Sequence, residues 1–205
     1  MANEEKTRNS RREAREAVFG LLFETEYHEG ETPEVILERA AEERELDASD
    51  KYIRKTYLGV MARLEEIDAV IGKYAKGWKT GRLSRVSRAV LRLGTYEILF
   101  SDKCPAPVAI NEAVELFKKF DDPASKTKSF VNGVLNAIKD AQANGEVGAL
   151  LAELKTVAEQ AAAAAEDAAE GTAAEETASE EAASEEASDV PASDDAPADM
   201  SADHE

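Results

Sequence analysis

Apolar residues recur every three or four positions along most of the first 140 residues, the spacing of helices that each bury one face. Val18, Leu21, Leu22 and Tyr27 predict a first helix over about 11–27, with Ser10 as its N-cap. Thr32 followed by Pro33 reads as an N-cap with proline in the first turn, opening a short helix that carries Val35, Ile36, Leu37 and Ala40. Ser49 is expected to cap a third helix with Ile53, Tyr57, Val60, Met61 and Leu64 on its apolar side. A fourth runs from about Ile67 to Trp78 and stops near Gly77 and Gly81. The segment from Arg85 to Phe100 is apolar around most of its circumference and is expected at the centre of a bundle. Pro105 and Pro107 interrupt the chain, and Val108 to Phe120 resumes it with Ile110, Ala113, Val114 and Phe117 on one face. The last segment carries Phe130, Val131, Val134, Leu135 and Ile138. Its Asn132-Gly133 pair is by itself a hairpin signal, but the flanking residues keep helical period, with Gly133 admitting a close neighbour. No useful period-2 stretch occurs, so the expected fold is all-α, a compact bundle of about seven helices.

Charge divides the chain more sharply than hydropathy does. Residues 1–145 hold 24 Lys+Arg and 25 Asp+Glu, whereas 146–205 hold 1 and 18, so nearly all of the net charge of -18 belongs to the C-terminal part. The acidity therefore says nothing against a nucleic-acid partner for the folded part, because a ligand responds to the local field. The expected organisation is a flexible arm over 1–9, a helical domain over 10–145 and a largely disordered acidic tail over 146–205. That tail has no aromatic residue with which to offset its ordering entropy. Its Ala-rich start, Val147 to Ala169, has helix propensity but no evident packed face, which makes a helix there marginal. One cysteine, Cys104, permits no internal disulfide. With no signal-like apolar stretch in MANEEKTRNSRREAREA and no run of 18 apolar residues, a soluble cytoplasmic protein without membrane contact is expected.

Little here suits catalysis. The two histidines, His28 and His204, form no cluster. Cys104 reads as a small half-buried thiol beside two prolines, and there is no glycine-rich phosphate cradle. No enzyme, catalytic residue, metal or cofactor is expected. What stands out is the basic run Arg8, Arg11, Arg12 and Arg15. Short arginine-rich segments grip phosphates through bidentate forks; the competing reading is a solvated first turn, although a helix N-terminus disfavours arginine. Arg85, Arg88 and Arg92, with Arg82 one turn earlier, form a second basic stripe, for which the stronger competing reading is a face that simply solvates the helix or pairs with carboxylates.

Four strings in order, RREAREAVFGLLFE, RAVLRLGTYEIL, PVAINEAVELFKKF and SFVNGVLNAI, resemble the NusB family and cover most of residues 10–140. The resemblance implies an all-α fold and an antitermination factor that binds the boxA RNA element of ribosomal RNA operon transcripts and pairs with the ribosomal protein NusE. That pair joins RNA polymerase and other Nus factors to prevent premature termination. By the same resemblance Arg11, Arg12 and Arg15 match the RNA-contacting arginines, Phe130 and Asn132 lie near bound RNA, and Phe23 and Arg92 face NusE. Phe130 suits either base stacking or the core, while Tyr96 and Ile110 belong to the core, and Asn111 and Glu112 read as polar residues near a helix start. Glu13 departs from the family pattern by standing where another arginine is usual. The loop DDPASKTKS is also unusual, adding Lys126 and Lys128, of which Lys128 is taken as a further RNA contact. Two other readings stay open: a protein-interaction or dimerisation module without RNA binding, and a homodimer.

Overall fold

A helix with apolar side chains nearly all round needs neighbours on every side, and α5 (Arg85–Phe100) has them in α1 (Ala2–Thr25), α3 (Lys51–Met61), α4 (Leu64–Tyr74), α6 (Ala106–Phe120) and α7 (Thr127–Ala143). These ranges come from a computed structural model of the chain. It describes residues 2–28, 30–44, 46, 49–76, 83–121 and 127–162, with side chains from Arg11 onward except at 127 and 128. Two further helices, α2 (Pro33–Arg44) and α8 (residues 146–162), complete the described set, which contains no strand. Val90, Leu91 and Leu93 of α5 meet Val18, Leu21 and Leu22 of α1, Phe117 of α6 and Leu135 and Ile138 of α7 in one continuous core. Tyr96 and Ile110 are buried in it as expected.

Boundaries follow local chemistry. Ser84 caps α5 by accepting a hydrogen bond from the Ser87 N–H at 3.1 Å. Pro107 lies within the first turn of α6, where its missing N–H costs nothing. For α3 the cap is Asp50 rather than Ser49: its carboxylate accepts from the N–H groups of Tyr52 at 2.7 Å and Ile53 at 3.1 Å. A carboxylate that reaches two orphan donors at the positive helix end is the better cap. Asp50→Ala should therefore lower stability by about 1 kcal/mol in urea unfolding, and an equal or larger loss in Ser49→Ala would overturn the assignment.

Three expectations change. The first helix begins at Ala2 rather than near Arg11, so Ser10 is interior to it and not its cap. A methyl group on Gly133 would meet no atom of a neighbouring element within 4 Å; the tightest approach is at Gly59, where a methyl group would sit 2.2 Å from the Tyr96 hydroxyl. The ordered part also does not stop at 145. Gly145 turns the chain at a φ of 77°, and α8 then lays a fully buried Val147 with Leu150 and Leu151 against the core. The Tyr74 hydroxyl donates to Glu146 at 3.4 Å. Those three apolar residues, at helical spacing, supply the face that composition alone did not reveal. Residues 1–155 form one compact unit. Of the second unit, Thr156–Glu205, residues 156–162 are described, as helix. Trp78, Gly77, Gly81, Arg82, Lys126 and the acidic segment 163–205 lie outside the described residues.

Candidate nucleic-acid interface

Residues four apart on a helix share a face, so Arg11 and Arg15 start from one side of α1 and Arg12 from the next. Their fates differ. Arg15 is only 6% exposed, and its Nε donates to both Glu97 oxygens of α5 at 3.0 and 3.1 Å. One terminal nitrogen donates to the Cys104 Sγ at 3.3 Å, and the other lies 3.7 Å from Glu112. The Tyr52 hydroxyl completes the set, donating to Glu97 at 2.9 Å. Burial works against the Arg15 charge, but Glu97, Tyr52 and Cys104 together outweigh it, and the pKa is raised. Burial, reinforced by Glu97, pushes the Tyr52 hydroxyl and the Cys104 thiol upward, so both stay neutral. Arg15 thus ties α1 to α5 with its guanidinium turned inward.

Arg11 and Arg12 are exposed instead. Arg12 keeps 52% of its side-chain surface in solvent and makes one long ion pair, 3.5 Å to Glu112. It lines a groove of about 330 Å³ between α1 and α6 with Glu112, Glu115 and Lys119. Lys119 is paired with Glu16 at 2.6 Å across that groove. Arg11 borders a separate pocket, shared with Tyr52 and Lys103.

Further along α1, Phe19, Phe23 and Tyr27 recur every four residues and form an aromatic row, with centroid separations of 6.1 and 5.5 Å. Phe120 of α6 stacks on Phe19 at 4.6 Å and is 43% exposed. At the other end Arg85 lies 4.3 Å over the Tyr27 ring. The stripe Arg85, Arg88 and Arg92 is paired with carboxylates: Arg88 grips Glu26 through two bonds of 2.6 and 2.9 Å, and Arg92 grips Asp68 at 2.8 and 2.7 Å and Glu26 at 2.9 Å. Phe23 and Arg92 therefore belong to neighbouring parts of one surface, linked through Tyr27, Arg85 and Glu26.

Phe130 and Asn132 lie on α7, which packs on α5, α6 and α4. The Phe130 ring is half-buried against the core. Asn132 is exposed and accepts from the Asn136 amide through its backbone oxygen at 2.9 Å and its side chain at 3.3 Å. Lys128 is in the first turn of α7, its side chain outside the described residues. Glu97 is not singled out by the sequence, Glu112 reads there only as a polar residue near a helix start, and Tyr27 only as one of the apolar set of the first helix. For Glu97 a signal existed: the one acid of a helix that is apolar around most of its circumference must find a cation if it is buried.

Residues 12–140 match the model of the NusB family. The transcription antitermination protein NusB of Agathobacter rectalis is 39% identical over 128 residues, 62% of this chain and 96% of that protein. That of Bacillus licheniformis is 40% identical over 129 residues, 63% and 95%. Among solved structures, T. maritima NusB superposes with a TM-score of 0.56 at 38% identity, covering 63% of this chain and 90% of its own. A crystal structure of the antitermination factors NusB and NusE in complex with dsRNA gives 0.56 at 33% identity, covering 64% and 96%.

Proposed function

This chain belongs to the NusB family, and on that premise we propose that it is a transcription antitermination factor that binds the boxA element of ribosomal RNA operon transcripts together with NusE. It works in the cytoplasm as a scaffold rather than a catalyst, joining RNA polymerase and the other Nus factors through that pair. The observation that carries the RNA surface is the division of labour on α1: Arg15 is locked to Glu97, which fixes the helix, while Arg11 and Arg12 stay exposed at its start. In this reading Arg11 and Arg12 hold phosphates, with Lys128, Phe130 and Asn132 contributing from α7, and Arg15 positions the helix. Phe23, in the aromatic row beside Arg92, faces NusE.

Arginine paired weakly at the surface can exchange a carboxylate for a phosphate at little cost, because exposed ion pairs contribute about 0–1 kcal/mol. The test is binding of the full chain, with and without NusE, to boxA RNA and a scrambled control across a salt series. Arg11→Ala with Arg12→Ala should weaken boxA binding about tenfold or more and reduce the salt slope by about 1.4, at roughly 0.7 per lost single-strand phosphate contact. Equally feeble binding of both RNAs in every condition would leave a protein-interaction module instead. No described helix is long and apolar enough to cross a membrane.

A further inference from the structure

Most arginines on this fold have carboxylate partners: Arg39 and Arg44 share Glu24, Arg88 and Arg92 share Glu26, and Arg63 has Glu66. One surface breaks that habit. Lys51, Arg54 and Lys55 are all exposed, at positions i, i+3 and i+4 of α3, a helix whose sequence KYIRKTYLGVM contains no acid. Among the described residues no carboxylate makes an ion pair with any of them, nor with Arg11 or Lys103. They crowd the first turn and a half of α3, the positive end of the helix dipole, where cations are disfavoured. A fold that neutralises its other arginines tolerates here an arrangement that its own stability does not call for.

The stripe also continues onto another feature. Asp50 and Tyr52, on either side of Lys51, line a pocket of about 190 Å³ between α1, α3 and the turn before α6, with Arg11 and Lys103 on its border. Asp50, the one acid lining it, is occupied in capping α3. None of the exposed large apolar residues, Tyr27, Val35, Val108, Phe120 and Val157, lies on α3. A protein partner would thus find no apolar centre there on which to build an interface, whereas a nucleic-acid backbone needs only spaced cations.

We propose that Lys51, Arg54 and Lys55, joined to α1 through Arg11 and Lys103 at this pocket, form a phosphate track that carries single-stranded RNA beyond the boxA element onto α3. The proposal rests on the RNA-binding reading above, and the track spans about 6 Å of helix axis over its three α3 cations. It assigns to α3 affinity for RNA length and to α1 affinity for the element itself.

The test uses two RNAs that share the boxA element, one ending at it and one extended by unstructured nucleotides on both sides. The wild-type chain is compared with a Lys51→Gln, Arg54→Gln, Lys55→Gln variant, whose exposed neutral replacements keep the fold, as a thermal melt checks. Wild type should hold the longer RNA about tenfold more tightly at low salt, with a steeper salt slope. The variant should lose that gain, lowering the slope on the longer RNA by about 2, while staying within about twofold of wild type on the short one. A variant equal to wild type on the longer RNA, or a wild type indifferent to length, overturns the proposal. So does a variant that keeps the length gain but loses binding of a Glu-rich peptide, which would give the surface to a protein. Failure of wild type to bind even the short RNA would instead strike the boxA reading and the track with it.

Discussion

Replacing Arg15 with alanine is expected to remove about 3–5 kcal/mol of stability, because it strands a buried charge. Glu97 keeps only 2% of its side-chain surface in solvent, and only the neutral Tyr52 hydroxyl and Cys104 thiol would remain beside it as donors. Urea unfolding followed by circular dichroism reads the loss directly, and a change below about 1 kcal/mol would mean that Glu97 finds water or another cation. Removing both charges together, Arg15→Leu with Glu97→Leu, should restore most of the stability, since no unpaired ion is then left inside. That double variant also separates the two roles open to Arg15. If boxA affinity survives in it, Arg15 positions α1; if affinity falls tenfold in a stable protein, Arg15 reaches the RNA itself.

Gly59→Ala should be nearly as damaging, at about 3 kcal/mol, the upper part of the usual range for overpacking. The added methyl carbon would lie 2.2 Å from the Tyr96 hydroxyl oxygen, 2.5 Å from Cζ and 2.7 Å from Cε2. Tyr96 cannot simply swing aside. It is 6% exposed and its ring packs against Phe100 at 5.7 Å. Relief should be graded: Tyr96→Phe in the Gly59→Ala background removes the closest atom but leaves the ring carbons in place, so it restores part of the loss, and Tyr96→Leu restores more. Thermal melts that place all three proteins together, or Gly59→Ala level with wild type, would show that α3 and α5 separate easily and that the contact sets nothing.

How much of this was legible in the sequence depended on whether the deciding partner was near in the chain. The α5 boundaries were, because its apolar circumference and the turn signals around it are local, and the match to Arg85–Phe100 is complete. So was the pairing of Arg88 and Arg92 with carboxylates as a type of interaction, though not the choice of Glu26 and Asp68. The cap of α3 missed by one residue, since Ser49 and Asp50 are both good caps and only backbone geometry decides between them. Arg15 was the harder case. Its neighbours in sequence, Arg11 and Arg12, are solvent-facing, and nothing within the helix says that this one meets an acid from the centre of the bundle. Gly133 and Gly59 fail in the same way: a glycine reports that space is available, and only the packing says whether anything fills it. The docking of α8 was hidden because three apolar residues within an Ala-rich stretch look like composition until a core appears beneath them.

The Arg15 and Glu97 pair spans 82 residues of chain, and that separation has a meaning in time. A ribosome adding about 5–20 residues per second needs roughly 4–16 seconds to travel it. Through that interval the nascent chain carries Arg15 without its acid. The acids of the last 60 residues, which account for nearly all of the net charge, arrive later still. Residues 1–84 hold 15 Lys+Arg and 18 Asp+Glu, so the growing polypeptide is already net acidic before its central helix has been made, and what the interval leaves exposed is Arg15 itself. Slow codons placed between residues 15 and 97 would prolong that exposure without changing a single side chain of the finished protein.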